Sequence, residues 1–227
     1  DPCWLGIETG GTRTSVMLAG PGDEVLAEFS AGPAVLPLMT DRELRWLFQE
    51  ISARLPRPPT AIGAGMAGAR APANAKRARQ SCASVWSGGA NLIRSDLETA
   101  LLAAPPWKPE AGSVVLVLSG TGSCCFGRDR EGNTAKVGGR GHIIGDRGSA
   151  CDIGQRALRM VMADLDRRGR MSPLGSSILQ TLMFSDPEEL IPWSVAAKKA
   201  VAAPMAEPVC QLAARRDPMA AALLRQA

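Results

Sequence analysis

SVVLVLSGTGSCCFGRDREGNTAKVGGRGHIIGDRGS, residues 113–149, is the stretch around which the chain is organised. Its opening run, 113–118, is apolar and rich in valine, which predicts a strand buried on both faces. The turn that follows, 119–123, holds only glycine and hydroxyl residues, so backbone N–H groups and hydroxyls can converge there on an anion such as phosphate. The stretch ends with glycines around Arg140, Asp146 and Arg147. Packing alone rarely requires so many glycines next to charged residues.

Neither of two commoner phosphate-binding motifs fits this turn. A dinucleotide fingerprint needs a third glycine where this sequence has Cys125, and residues 124–126 favour another strand rather than a helix. The glycine, lysine and hydroxyl string of a P-loop does not occur in the chain. The predicted geometry is therefore strand, phosphate turn, strand.

The composition is that of an ordinary soluble globular protein rather than a disordered one. Of 227 residues, 45% are hydrophobic and 21% charged, and no apolar run approaches the roughly 20 residues of a membrane span. Six scattered cysteines without a Cys-x-x-Cys spacing indicate reduced thiols and a cytoplasmic location, and a single histidine argues against zinc. The net charge of +4 lies in small arginine clusters without interleaved aromatic residues, so we expect solvated helix faces and no nucleic-acid partner.

The same architecture occurs earlier in the chain. A strand at 4–8, a glycine–threonine turn at 9–13 and strands at 14–19 and 24–29 predict an antiparallel meander. Helical spacing predicts a helix over 41–55 with Thr40 as N-cap, a strand within 60–68, a basic helix over 72–82 and a strand within 85–94. Either Ser95 or Asp96 then begins another helix. We place a linker at 105–109, which divides the chain into domains 1–108 and 109–227. After Ser149 we expect only helices. The second copy of the meander is therefore expected to lack the further strands that complete the first copy.

These motifs together resemble the N-acetylglucosamine kinases and the wider BadF/BadG/BcrA/BcrD-type ATPase family of the sugar kinase, Hsp70 and actin superfamily. The resemblance rests on residues 8–14, Ser95-Asp96, 119–123 and 138–149, in that order and spacing. It implies an α/β fold with duplicated ribonuclease H-like (actin/hexokinase-type) lobes, the second lobe being incomplete in this chain.

The resemblance also implies ATP and Mg²⁺ as cofactors. The phosphates would be bound by two turns, one of Gly10, Gly11, Thr12 and Arg13 and one of Gly120, Thr121, Gly122 and Ser123. Glu8 would hold Mg²⁺ through water, since that ion keeps several of its waters.

Asp96 is the candidate general base, because a sugar hydroxyl is a poor nucleophile until its proton has an acceptor. On the residues alone, Asp96 is equally well explained as a helix N-cap. The residues that the resemblance assigns to sugar binding are Asp96, Ser123, Cys124, Gly139, Arg140, Gly141 and Asp146. His142 is expected to be structural.

Three departures from the family pattern bear on the acceptor sugar. The sequence has Arg140 where relatives commonly have tryptophan and Arg147 where they have glutamate, and 31–37 lacks the asparagine that relatives offer to an acetamido sugar. Our hypothesis is that Arg140 binds an anionic substituent, for example the lactyl carboxylate of N-acetylmuramic acid. The alternative is that Arg140 pairs with Asp146 or faces solvent.

The expected function is therefore an ATP-dependent kinase for a hexosamine-type sugar, N-acetylglucosamine, glucosamine or N-acetylmuramic acid, phosphorylated at the 6-hydroxyl. Two alternatives stay open: a non-catalytic sugar- or nucleotide-sensing module, and an activase-type ATPase of the same family. The cysteine spacing offers no ligand set for the cluster that such activases carry. A small-molecule sugar, ATP and a second copy of the chain are the expected partners.

Overall fold

A computed structural model describes residues 1–103, 112–196 and 202–227 of the chain. These residues form two compact units, Asp1–Gly112 (unit 1) and Ser113–Ala227 (unit 2), each with its own hydrophobic core. The linker predicted at 105–109 and the domain boundary after residue 108 lie outside the described residues. Within the three described ranges, no helix is long and apolar enough to cross a membrane.

Unit 1 contains a five-stranded sheet with the strand order β3-β2-β1-β4-β5. The first three strands form the predicted antiparallel meander, and β4 and β5 run parallel to β1. The strands are β1 (Trp4–Thr9), β2 (Thr14–Ala19), β3 (Val25–Ala31), β4 (Ala61–Met66) and β5 (Ala90–Ser95), and the helices are α1 (Asp41–Arg54), α2 (Pro72–Val85) and α3 (Asp96–Ala103).

One face of this sheet forms the core of unit 1 with α1 and α2. Leu5, Ile7 and Val16 of the sheet are buried in the same cluster as Leu44 and Phe48 of α1. The N-cap predicted at Thr40 is confirmed and is part of a capping box, because the hydroxyl accepts from the Glu43 N–H while the Glu43 carboxylate accepts from the Thr40 N–H. The opposite face carries α3, which packs on β4 and β5.

Unit 2 begins with a three-stranded antiparallel sheet and continues as helices, as the sequence predicted. The strands are β6 (Val114–Ser119), β7 (Ser123–Arg128) and β8 (Thr134–Gly138), and the helices are α4 (Ala150–Arg168), α5 (Pro173–Leu182), α6 (Leu190–Ala196), α7 (Ala206–Ala214) and α8 (Pro218–Gln226). The N-caps are Ser149 for α4, Ser172 for α5 and Asp217 for α8. The helices form the core of this unit.

The two sheets differ in how their first strands are paired. In unit 1, β1 lies between β2 and the parallel strand β4, whereas among the described residues β6 pairs only with β7. Val115, Val117 and Val137 on this small sheet are 63–71% exposed. The prediction that residues 113–118 form a strand buried on both faces is therefore wrong for the described residues, because none of them covers the face that carries these valines. Unit 2 therefore repeats the meander of unit 1 without a counterpart of β4 and β5 among the residues described.

Candidate functional site

The first predicted phosphate turn links β1 to β2 and is open to solvent. The Gly10 N–H donates to the Arg13 carbonyl at 3.0 Å, and Gly11, Thr12 and Arg13 are exposed. A Cβ added to Gly11 would meet no atom within 4 Å. The backbone at the tip of the turn can therefore be approached closely, as phosphate binding requires.

The parallel strands bring this turn and Asp96 to one edge of the unit 1 sheet. Since β1, β4 and β5 are parallel, the residues that follow them lie at the same edge. Hydrogen bonds fix the loops there: the Ala67 N–H donates to Thr9 Oγ1 at 3.1 Å, and the Ala34 N–H donates to the Gly10 carbonyl at 3.0 Å. This is the edge at which open α/β sheets bind ligands.

Ser95, rather than Asp96, is the N-cap of α3. The Glu98 N–H donates to Ser95 Oγ at 3.2 Å, and the Ser95 N–H donates to Glu98 Oε2 at 3.1 Å, which is a reciprocal capping box. Asp96 is the first helical residue and is half-buried, neither locked in the core nor serving as the cap. The sequence left open whether Asp96 is a helix N-cap or a general base; the structure assigns the N-cap to Ser95.

Glu8 lies on the face of the sheet that carries α3. It pairs in register with Gly65 of β4, and the Thr99 side chain of α3 packs on that glycine. The Glu8 carboxylate is exposed. The described residues contain no group of three or more His, Cys, Asp or Glu side chains that could hold a metal ion. A single carboxylate suits Mg²⁺, which binds proteins through one or two carboxylates and otherwise through phosphate and water.

The second phosphate turn, in unit 2, is bonded to the glycine-rich segment 138–149. Ser119 Oγ donates to the Gly148 carbonyl at 2.9 Å, and Ser123 Oγ donates to the Arg147 carbonyl at 2.6 Å. The Ala150 N–H of α4 donates to the Gly120 carbonyl at 2.8 Å. The structure therefore brings the predicted phosphate turn of unit 2 together with the predicted sugar-binding segment and with the N-terminus of a 19-residue helix.

Asp146 has a constrained backbone. Its φ of +54° is left-handed, which is uncommon for a residue other than glycine, and only 4% of its surface is exposed. The Ser149 N–H donates to its carbonyl at 3.2 Å. Such strain persists only where surrounding contacts hold it, so the segment presents Asp146 in one conformation.

Asp152 secures the start of α4. Its N–H donates to Ser149 Oγ, while its carboxylate accepts from the Gly148 N–H at 2.9 Å and from Arg156 Nε at 3.0 Å. Burial raises the pKa of Asp152, but the bonds from Arg156 and Gly148 outweigh it and hold the pKa below its ordinary value. The carboxylate is therefore ionised at neutral pH and holds the loop that contains Asp146.

Arg140 is exposed, and the four salt bridges seen among the described residues do not involve it. Lys136, which the sequence analysis did not single out, donates through Nζ to the Gly139 carbonyl at 3.1 Å. Its position in β8, three residues before that glycine, was the available signal. The Cβ of Cys124 would lie 3.0 Å from a Cβ added at Gly139, so Cys124 contacts the same segment.

His142 borders a cavity rather than the turn. It lines a space of about 400 Å³ in unit 2 together with Arg159 of α4 and Trp193 of α6. The structural role expected for His142 stays a prediction.

The sheet order of unit 1 and the meander of unit 2, each with a phosphate turn after its first strand, define an actin/hexokinase-type sugar kinase fold. The chain belongs to the BadF/BadG/BcrA/BcrD ATPase family, which residues 5–227 match.

Individual relatives agree with this assignment. The chain is 32% identical over 194 residues to an N-acetylmuramic acid/N-acetylglucosamine kinase of Clostridium acetobutylicum, a match that covers 82% of the chain and 62% of that protein. The chain thus spans about three-fifths of that relative. It is 36% identical over 80 residues to an N-acetyl-D-glucosamine kinase of Dictyostelium discoideum, covering 35% of the chain and 25% of that protein.

A solved structure also matches nearly the whole chain. A candidate N-acetylglucosamine kinase of Chromobacterium violaceum superposes with a TM-score of 0.74 at 28% identity, covering 99% of this chain and 79% of that one. A second candidate N-acetylglucosamine kinase, from Porphyromonas gingivalis, has a TM-score of 0.72 at 20% identity, covering 98% of this chain and 76% of that one. The second match supports the fold alone.

Proposed function

We propose that the chain contributes to an ATP-dependent kinase that phosphorylates an amino sugar, at the 6-hydroxyl. The observation that carries the proposal is the placement of Asp96 in unit 1. Asp96 follows β5 at the same edge of the sheet at which the open Gly10–Arg13 turn follows β1. The N-cap of α3 is Ser95 rather than Asp96. The names of the clostridial relative and of the Chromobacterium structure support an amino sugar as acceptor.

In this proposal Asp96 is the general base. Its carboxylate accepts the proton of the acceptor hydroxyl while that oxygen attacks the γ-phosphorus of ATP. The bond between the γ-phosphorus and the bridging oxygen breaks, and ADP leaves with the electron pair. Positioning and charge neutralisation supply most of the remaining acceleration.

The nucleotide and sugar roles follow the two units, which we propose to be the N-terminal lobe and the start of the C-terminal lobe. In unit 1, Gly10, Gly11 and Thr12 would bind phosphate and exposed Arg13 would add charge. In unit 2, phosphate would be bound by Gly120, Thr121, Gly122 and Ser123. Glu8 would hold Mg²⁺ through water, and the ion would neutralise phosphate charge.

The acceptor would be contacted by Asp96 and, in unit 2, by the constrained Asp146, because a carboxylate can accept two hydrogen bonds from vicinal hydroxyls. The other proposed sugar-contacting residues are Ser123, Cys124, Gly139, Arg140 and Gly141.

We propose that Arg140 binds the lactyl carboxylate of N-acetylmuramic acid when that sugar is the acceptor. The guanidinium is exposed and has no ion pair among the described residues, and it matches a carboxylate in bidentate geometry. We expect Arg140→Trp to raise KM for N-acetylmuramic acid about 10- to 100-fold, with little change for N-acetylglucosamine. Arg130→Trp, at another exposed arginine, is the matched control. An unchanged preference between the two sugars would remove the role of Arg140.

The kinase proposal is tested by mass detection of a phosphorylated sugar after incubation with ATP and Mg²⁺. The acceptors are N-acetylglucosamine, glucosamine and N-acetylmuramic acid, and position-specific NMR of the product identifies the phosphorylated oxygen. Asp96→Asn should lower kcat about 10²- to 10⁴-fold, whereas Glu98→Gln, which keeps an acceptor for the capping box, should not. Release of ADP without a phosphorylated sugar would indicate the activase-type reaction, and sugar binding without turnover would indicate a sensor.

Two further proposals concern location and assembly. The six cysteines are all free thiols, which fits a reducing cytoplasm. Among the described residues β6 has no strand on its outer edge, and that edge, with exposed Val115 and Val117 nearby, fits pairing with a second copy. Disulfide mapping after expression in an oxidising compartment and analytical ultracentrifugation test these proposals.

A further inference from the structure

Unit 1 contains a cavity of about 410 Å³ between α1 and the segment that connects β3 to α1. We name it the Trp46 pocket. Its volume falls within the range of about 300–1,000 Å³ that small-molecule sites occupy. Its lining includes Gly11 of the phosphate turn, Val35 and Leu38 of the connecting segment, and Trp46 and Leu47 of α1.

The pocket presents apolar side chains that a folded domain normally buries. Trp46 is 63% exposed and Leu38 is 82% exposed. Trp46 lies outside the stripe of α1 that faces the core, to which Leu44 and Phe48 belong. Large exposed apolar side chains gathered in a concave site are typical of a binding surface.

Hydrogen bonds hold the wall of the pocket in place before any ligand binds. Arg77 of α2 donates through Nη1 to the Leu36 carbonyl at 3.3 Å and through Nη2 to the Met39 carbonyl at 2.6 Å, while its Nε pairs with Asp41 at 2.6 Å. The capping box at Thr40 fixes the next residue. A preformed wall lowers the entropy that a ligand must lose on binding.

The pocket adjoins the place where an acceptor sugar must lie. Gly11 belongs both to the phosphate turn and to the pocket wall, and the Ala34 N–H bonds the connecting segment to Gly10. A sugar whose hydroxyl reaches a phosphate bound at Gly10–Thr12 is therefore at the mouth of the pocket. A substituent on the sugar ring can therefore enter the Trp46 pocket.

The side chains at the rim favour a neutral substituent. Glu43 and Glu50 line the pocket, and both carboxylates already have partners, Thr40 and Arg54 respectively. These two negative charges disfavour an anionic group such as a lactyl carboxylate, whereas the apolar walls favour alkyl carbon.

We propose that the Trp46 pocket binds the alkyl chain of an N-acyl amino sugar whose acyl group is longer than acetyl. This inference rests on the proposed amino-sugar kinase function and adds a preference for chain length. Each methylene that leaves water should tighten binding about fourfold until the pocket is filled.

The test is calorimetric titration of the 227-residue chain with N-acetyl-, N-propanoyl-, N-butanoyl- and N-hexanoylglucosamine. We expect Kd to fall about fourfold per added methylene in the wild type and in Trp4→Ala, a control at an exposed tryptophan outside the pocket. Kd should be independent of chain length in Trp46→Ala. It should also be independent in Gly32→Phe, since a Cβ on Gly32 would meet open space and the new ring would obstruct the pocket.

Three results would overturn the inference in distinguishable ways. Equal or weaker binding of the longer acyl sugars by the wild type would remove the pocket proposal and leave the amino-sugar function in place. Failure of all four sugars to bind would contradict the proposed amino-sugar function and remove the pocket proposal with it. Persistence of the dependence on acyl length in both Trp46→Ala and Gly32→Phe would show that the acyl group of the sugar binds outside the Trp46 pocket.

Discussion

Gly65 of β4 controls how closely α3, and with it Asp96, approaches the sheet. A Cβ at position 65 would overlap with Thr99 Oγ1 and would lie 3.0 Å from both Thr99 Cβ and Cγ2. Overpacking of this kind destabilises a domain by about 1–3 kcal/mol. Replacing glycine by alanine also lowers the conformational entropy of the unfolded chain, which stabilises the folded state by about 0.4–1 kcal/mol. We therefore expect Gly65→Ala to lower the free energy of unfolding by about 1–2 kcal/mol and to displace α3.

A double-mutant cycle separates this contact from a general effect on β4. Thr99→Ala removes Oγ1 and Cγ2 and loses only the hydroxyl's bonds to the Ser95 and Asp96 carbonyls, at 3.3 Å and 3.0 Å. Its own cost should be about 0.5–1 kcal/mol. In the double variant the overlap with Oγ1 and the contact with Cγ2 are gone and only the 3.0 Å contact with the Cβ of residue 99 remains, so we expect a coupling energy of about 1 kcal/mol in favour of the pair.

The assay is urea unfolding followed by tryptophan fluorescence, since buried Trp86 belongs to the core of unit 1, together with the kinase rate. Gly65→Ala should lose both stability and activity, and Thr99→Ala added to it should restore much of each. Additive effects, or a Gly65→Ala variant as stable as wild type, would show that close packing of α3 on β4 does not position Asp96.

Three further predictions concern other parts of the chain. The folded-state pKa of Asp152 lies below its ordinary value, so its contribution to stability is complete above the unfolded pKa of about 3.9 and is lost as the pH falls through the folded pKa. Urea titrations should accordingly show Asp152→Asn less stable than wild type at pH 7, with a difference that shrinks as the pH falls below about 3.9; a constant difference would contradict this. Burial raises the pKa of Cys82 to about 11, so a maleimide at neutral pH should label exposed Cys210 and leave Cys82 unmodified until urea unfolds the chain. Val117→Lys should reduce self-association in analytical ultracentrifugation, because it places a charge beside the β6 edge; an unchanged distribution would argue against that edge as an interface.

Local signals in the sequence predicted most of the elements. Thr40 and the apolar spacing of 41–55 predicted α1, which ends at Arg54, and the valine-rich run from residue 114 predicted β6. The strand predicted within 85–94 begins only at Ala90, because α2 continues to Val85 and the glycines that follow form a turn. Such boundaries depend on how far neighbouring elements extend.

The choice between Ser95 and Asp96 as N-cap could have been made from the sequence. Ser95 is followed three residues later by Glu98, the spacing of a capping box, and the structure contains that box. The packing of Thr99 on Gly65 could not have been predicted in this way, since the two residues meet only when α3 folds onto β4. The Trp46 pocket was missed for a related reason: its walls come from three separate parts of unit 1.

The two phosphate turns share their residue types but are supported by different structures, and this affects how each responds to mutation. In unit 1 the turn is bonded to a neighbouring loop through the Gly10 carbonyl and Ala34, backbone contacts that side-chain substitutions nearby leave in place. In unit 2 the turn is held by the backbone bond from the Ala150 N–H to the Gly120 carbonyl and, in addition, by two serine hydroxyls, of Ser119 and Ser123, that donate to carbonyls of the Asp146 loop. Replacing either serine by alanine therefore leaves a carbonyl without its partner and loosens the turn and the proposed sugar-binding segment together. If these segments bind sugar and nucleotide as proposed, the two affinities should weaken together.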